Sequence, residues 1–223
     1  MLNVTDLIGF GAGTSKSPIT LVYNTQVNDP GNNSTYSFAS VSIGTAAANR
    51  RVVIVSSANG NNAGDATGCT IAGVTAVNAA SGPTVSSPGG SAMNVWYADI
   101  PTGTTATIAI TYSAAKGRCQ IGCYSLYGTY EGVTPYSSSV TAGTSMSFTS
   151  TTVSGSVLFG ASGVGGNQPV TWTNLTEDFD IGVESNNQYM SGASLAITSG
   201  SSRTVTATYG TSVTAWMVGA LFY

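Results

Sequence analysis

With 223 residues, a net charge of −3, charged side chains at only 7% of positions and no histidine, the chain excludes several functions at the outset. Histidine-dependent acyl transfer and acid–base catalysis have no residue to run on, and an all-cysteine zinc site needs one more cysteine than the chain has. Its cations, Lys16, Lys116, Arg50, Arg51, Arg118 and Arg203, are scattered, so there is no electrostatic footprint for direct nucleic-acid binding.

The first stretch, residues 1–17, combines a short apolar patch (Leu7, Ile8, Phe10) with glycines and no sustained period. It reads either as a frayed terminus or as an extended arm whose patch anchors on a neighbouring subunit. Asp6 and the lack of a basic start make it a poor signal peptide, and no apolar run reaches the roughly 20 residues that span a bilayer. Synthesis in a cytoplasm, with no membrane insertion, is the expectation.

From Pro18 the pattern is β. Ile19, Leu21 and Tyr23 alternate with polar or smaller residues, Asn28–Gly31 is turn chemistry, and Tyr36, Phe38, Val41 and Ile43 follow. The run Arg51–Ser56 is apolar on both faces, as in a strand between two layers. Cys69–Val77 reads as a further strand, and Ala79–Ser91, with Pro83 and Pro88, as an exposed insertion. Met93–Ile100 predicts a strand with Val95 and Tyr97 facing one way and Trp96 the other. Cys119 and Cys123 fall on one expected strand, about 13 Å apart and beyond disulfide reach. Either Cys69 bridges one of them or the thiols are buried and free.

Residues 103–127 and 200–223 resemble each other at one offset of 97, which sets Thr107 on Thr204, Tyr112 on Tyr209 and Gly122 on Gly219. Upstream, Phe38 matches Phe148, Val52–Ile54 matches Val157–Phe159, Thr70 matches Thr171 and Met93 matches Met190, with the changes of offset falling between strands. No stretch carries a helical period. The expected fold is all-β: two tandem antiparallel sandwiches, jelly-roll or immunoglobulin-like, from an internal duplication, with units 18–128 and 129–223 behind an arm at 1–17. Residues 129–144 are linker-like or supply the first strand of the second unit.

Two clusters invite chemistry. Glu177, Asp178 and Asp180 form the one acidic group; on a regular strand Asp178 and Asp180 share a face, as a carboxylate pair, a cation site or a plain solvated edge would require. Trp96 beside Tyr97, next to the Pro/Gly-rich insertion, is the better candidate for an exposed aromatic that packs on a partner or stacks on a sugar.

The stretches IGFGAG (Ile8–Gly13), IGTAAANRRVVIV (Ile43–Val55) and the repeated TVTATYG type of strand resemble the Thr/Ser/Gly-rich β-sandwich proteins among the virion components of tailed bacteriophages. That resemblance implies a non-enzymatic structural role without a cofactor: a capsid decoration or cement protein, or alternatively a tail or fibre protein that binds a receptor or surface glycan. It implies other virion proteins as partners, self-association into a homo-oligomer, and location in the virion. The contact residues expected on this reading are Leu7, Ile8, Phe10, Trp96 and Tyr97.

Overall fold

A computed structural model describes residues 17–60, 65–83, 91–166, 168–183 and 188–223. The expected anchors Leu7, Ile8 and Phe10, and much of the expected insertion, lie outside them. Every regular element among the described residues is a strand, as the period-two patterning requires. The first half contains β1 (Thr20–Asp29), β2 (Asn33–Ser42), β3 (Arg50–Asn59), β4 (Ala66–Ile71), β5 (Val74–Thr75), β6 (Val77–Ser81), β7 (Ala92–Asp99), β8 (Thr105–Lys116) and β9 (Arg118–Tyr127). The second contains β10 (Val133–Thr151), β11 (Val157–Gly165), β12 (Val170–Thr173), β13 (Thr176–Val183), β14 (Gln188–Ala196) and β15 (Ser202–Phe222).

In the first half an inner sheet, ordered β1-β9-β3-β7-β6, packs on an outer sheet ordered β2-β8-β4-β5, and every pairing is antiparallel. In the second half β10 and β15 are long enough to serve both layers. Residues 133–143 and 213–222 join β11, β14 and β13 in an inner sheet, whereas 145–151 and 202–209 form the outer layer with β12. The strand order is the same in both halves, with β10 in the places of β1 and β2, and β15 in those of β8 and β9. Residues 133–144 are thus the start of a strand rather than a linker.

Pairing registers show which residues correspond. Phe38 faces Ile108 as Phe148 faces Val205, and Met93 faces Ser57 as Met190 faces Gly163, so these matches hold. Beyond Tyr112 and Tyr209 the single offset fails by one residue. Cys119, Ile121 and Cys123 face the first half's own core, whereas the residues 97 further on, Trp216 and Val218, face the opposite way. A slip of one residue moves every side chain of a strand to the other face, so the true correspondence sets Tyr124 on Ala220 and Gly122 on Val218. The same parity moves Val52–Ile54 on by one, to Leu158–Gly160, and the pairing of β12 sets Thr70 on Thr173. Cys69–Val77 is not one strand: it holds the end of β4, all of β5 and the first residue of β6, and β4 turns into β5 at Ala72 and Gly73 with φ of 54° and 78°, the double positive φ of a two-residue hairpin.

Three apolar layers separate the four layers of strand. Tyr36, Ile54, Trp96 and Ile110 centre the first half's core, and Phe148, Leu158, Trp172 and Tyr209 centre the second's. The third lies between the inner sheets and draws on both halves: Val53, Val55, Tyr124 and Leu126 meet Phe159, Trp216 and Phe222. β3 is therefore covered on both faces, as its sequence indicates. The edge strand β1 lies against β13, and β6 against β10. Two sheets with one strand order but opposite edges together are related by an approximate two-fold axis along the strands. Gln188 donating to Ser57 at 3.0 Å ties one end of the joint, and the Tyr97–Phe222 ring contact at 5.5 Å ties the other.

Candidate functional site

The approximate two-fold makes two seams where edge strands of the halves meet, and the seams differ. At the β1–β13 seam the Phe179 ring lies against Gly122 and Gly192, and Tyr23 stacks over it at a centroid distance of 5.8 Å. At the β6–β10 seam Ala80 holds the place of Phe179 and Pro135 that of Tyr23. Val95 and Val218 stand where Gly192 and Gly122 do, so the core behind Ala80 is filled and the deficit is at the surface. What remains is a cleft of about 430 Å³ lined by Asn78–Ser81 and Pro135–Ser137. Asn78 and Ser81 frame its β6 wall and hydrogen-bond each other at 2.9 Å. Val77, 52% exposed, precedes this lining on β6 and pairs with Tyr97, which packs on the central layer.

The cleft was only faintly legible in sequence. Ala79–Ser81, part of the expected insertion, belong to β6, with Ala79 and Ala80 buried. The one signal was Pro135, since a proline inside a strand marks an edge.

The acidic cluster does not form a paired site. A bulge between Glu177 and Phe179 shifts the register of β13, at the position where β6 shifts between Asn78 and Ala80. The regular alternation expected for Asp178 and Asp180 is thereby broken. Asp178 turns to the joint, where it accepts a hydrogen bond from Ser194 Oγ at 2.6 Å and faces the buried Tyr124 hydroxyl. Asp180 turns to the second half's core and accepts from the Val170 N–H at 3.1 Å, beside Ser191. Two carboxylates on opposite faces of a sheet share neither a proton nor a cation. Among the described residues no group of three or more His, Cys, Asp or Glu side chains is placed to hold a metal ion.

Burial holds both carboxyl groups above their ordinary range, partly offset by the hydrogen bonds they accept. A carboxyl raised in the folded state binds its proton more tightly there than in the unfolded chain. Its contribution is therefore fullest at acidic pH and is lost as pH rises through the raised value. The variant D178N/D180N is expected to flatten that decline, read as urea midpoints between about pH 4 and about pH 7. An unchanged slope would show that neither group titrates in this way.

Trp96 is not the exposed aromatic expected from sequence: it is 4% exposed in the first half's core, and its indole N–H donates to Ser56 Oγ at 3.2 Å. The period-two alternation of β7 that turns Tyr97 toward the joint turns Trp96 into the sandwich. Tyr97 is half-buried, with Arg51 over its ring at 4.4 Å and over that of Tyr130 at 4.0 Å while paired to Asp99 at 2.7 Å. Trp96 is thus a core residue, and Tyr97 packs on the joint with its ring between Arg51 and Phe222.

All three cysteines are buried and free, and burial pushes each thiol up to about 12. Only the thiolate reacts, so no thiol should be modified by an alkylating reagent near pH 8 in the folded protein, and all should be modified in denaturant. Labelling of any cysteine on the folded chain would contradict its placement in the core.

Comparison with protein-family models, with curated proteins and with solved structures finds no match to this chain.

Proposed function

We propose that the chain is a non-enzymatic structural protein of a tailed-phage virion, a decoration or cement protein that binds neighbouring virion proteins through its N-terminal arm and sheet edges. The observation that supports this most is the unequal pair of seams: one closed by Tyr23 and Phe179, the other with an uncovered cleft that a segment of an associating chain can fill. Alongside it, β1, β6, β10 and β13 end their sheets. The proposal includes descent of the two halves from a duplicated sandwich, supported by their common strand order and by the β-bulge at one corresponding position. It also includes self-association, because open edges on a sparsely charged surface invite pairing unless other chains cover them.

The test is mass spectrometry and labelled cryo-electron microscopy of gradient-purified particles from cells producing the chain. Stoichiometric incorporation at the particle surface is expected, and deletion of residues 1–13 should leave a folded protein that is incorporated poorly. Recovery of the intact chain solely in the particle-free fraction would overturn the proposal.

A further inference from the structure

We infer that the β6–β10 cleft is the docking site for the apolar patch Leu7, Ile8 and Phe10 of this same chain, supplied by its own N-terminal segment or by that of a second copy. This goes beyond the virion reading and does not depend on it.

The closed seam shows what chemistry the open one lacks. At β1–β13 an aromatic pair, Tyr23 over Phe179, covers the line where the inner sheets meet. At β6–β10 the corresponding residues are Pro135 and Ala80, and the half-exposed Val77 extends the uncovered apolar surface downward. A ring and one or two aliphatic side chains carried on an extended backbone would restore the missing cover. Leu7-Ile8-Gly9-Phe10-Gly11 has that composition, with glycines that allow the backbone to lie close. Among the described residues β6 pairs with β7 alone and ends its sheet, so an added strand can pair along its outer edge while the side chains enter the cleft.

The span is also suitable. Described backbone near the start of β1 is fixed by Ile19 N–H donating to Gly155 O at 2.9 Å, at the end of the molecule where the connection between halves runs past Ile19 at Gly128. β10 begins at that same end, so the Pro135 portion of the cleft is near it. Five strands spaced about 4.8 Å apart place β6 about 19 Å across the sheet from β1. The eight to eleven residues between Pro18 and the patch reach about 26–36 Å when extended, at roughly 3.3 Å each. The chain's own segment can therefore cross to the cleft, and a segment from a second copy meets no length limit.

Photo-crosslinking of the purified full-length chain tests this without any particle. With benzoylphenylalanine in place of Phe10, the crosslinks mapped by mass spectrometry should fall on residues 77–81 and 134–137. Mixing isotope-labelled and unlabelled chains separates the two supporting outcomes: within one chain, or between copies. Ser137→Trp, at the exposed rim of the cleft, should lower that yield at least fivefold with no loss of thermal stability, as should Val77→Glu at the half-exposed start of β6. Crosslinks that map elsewhere, no crosslinks, or a yield unchanged in both cleft variants would overturn the inference. Because no virion is present, such a failure is separate from failure to enter particles.

Discussion

Arg50→Met is expected to destabilise the protein by about 3 kcal/mol or more, a large part of the roughly 5–15 kcal/mol typical of a folded domain. Arg50 opens β3 and is fully buried, and its guanidinium donates to four backbone carbonyls. Nε reaches Ile100 O at 2.7 Å, one terminal nitrogen reaches Gly44 O at 2.8 Å and Ile43 O at 3.2 Å, and the other reaches Thr102 O at 2.7 Å. One side chain thus closes the ends of two connections, β2 to β3 and β7 to β8. Methionine fills the space but removes the guanidinium donor from all four carbonyls, of which Ile43 O keeps the Ser125 hydroxyl at 2.6 Å, and lysine cannot reproduce the planar fork. Arg50→Lys should therefore also lose stability, by a smaller amount. Urea unfolding decides the matter: a methionine variant within about 1 kcal/mol of the parent would mean that water replaces the guanidinium at little cost.

The second large effect concerns Phe179. A Cβ at Gly122 or Gly192 would overlap its ring, so Gly122→Val and Gly192→Val should each cost about 1–3 kcal/mol by overpacking. Phe179→Ala alone should cost about 3–5 kcal/mol by leaving a cavity. Together the three changes reproduce the arrangement already present at the other seam, where Ala80 packs with Val95 and Val218. The triple variant is therefore expected to recover at least half of the summed losses, because residues that share one space are not additive. Strict additivity in thermal or urea unfolding would refute the equivalence of the two seams. A recovered triple variant would also take the Phe179 ring from Tyr23, leaving it the Tyr124 ring at 5.4 Å, and open a second surface cleft.

Much of the fold was legible because a strand's period of two is written locally. The both-faces-apolar run around Ile54 indicated a strand covered on two sides, and the alternation of β7 put Trp96 opposite Val95 and Tyr97, as found. The candidate site was less legible. The joint between halves is built from alternate residues of ten or so strands, none distinguished locally from a residue facing its own sandwich. The facing of the last strand was misjudged for the same reason: a gapless alignment of Gly122 with Gly219 scores well as text, yet reverses every side chain after the turn. The bulge at Asp178 was equally hidden, since two register-shifting positions, one at Ala79 and one at Asp178, have no residue type in common.

The sequence by itself determined that the chain is all-β, that two stretches of it correspond, and that its few charges and missing histidines remove whole classes of chemistry. Only the tertiary structure decided that two sandwiches share a third apolar layer, that Asp178 and Asp180 part to opposite faces, and that Pro135 leaves one of two seams uncovered. Alternation along a strand is a local consequence of backbone geometry, whereas the identity of the surface a face meets depends on residues more than a hundred positions away, as Gln188 meets Ser57.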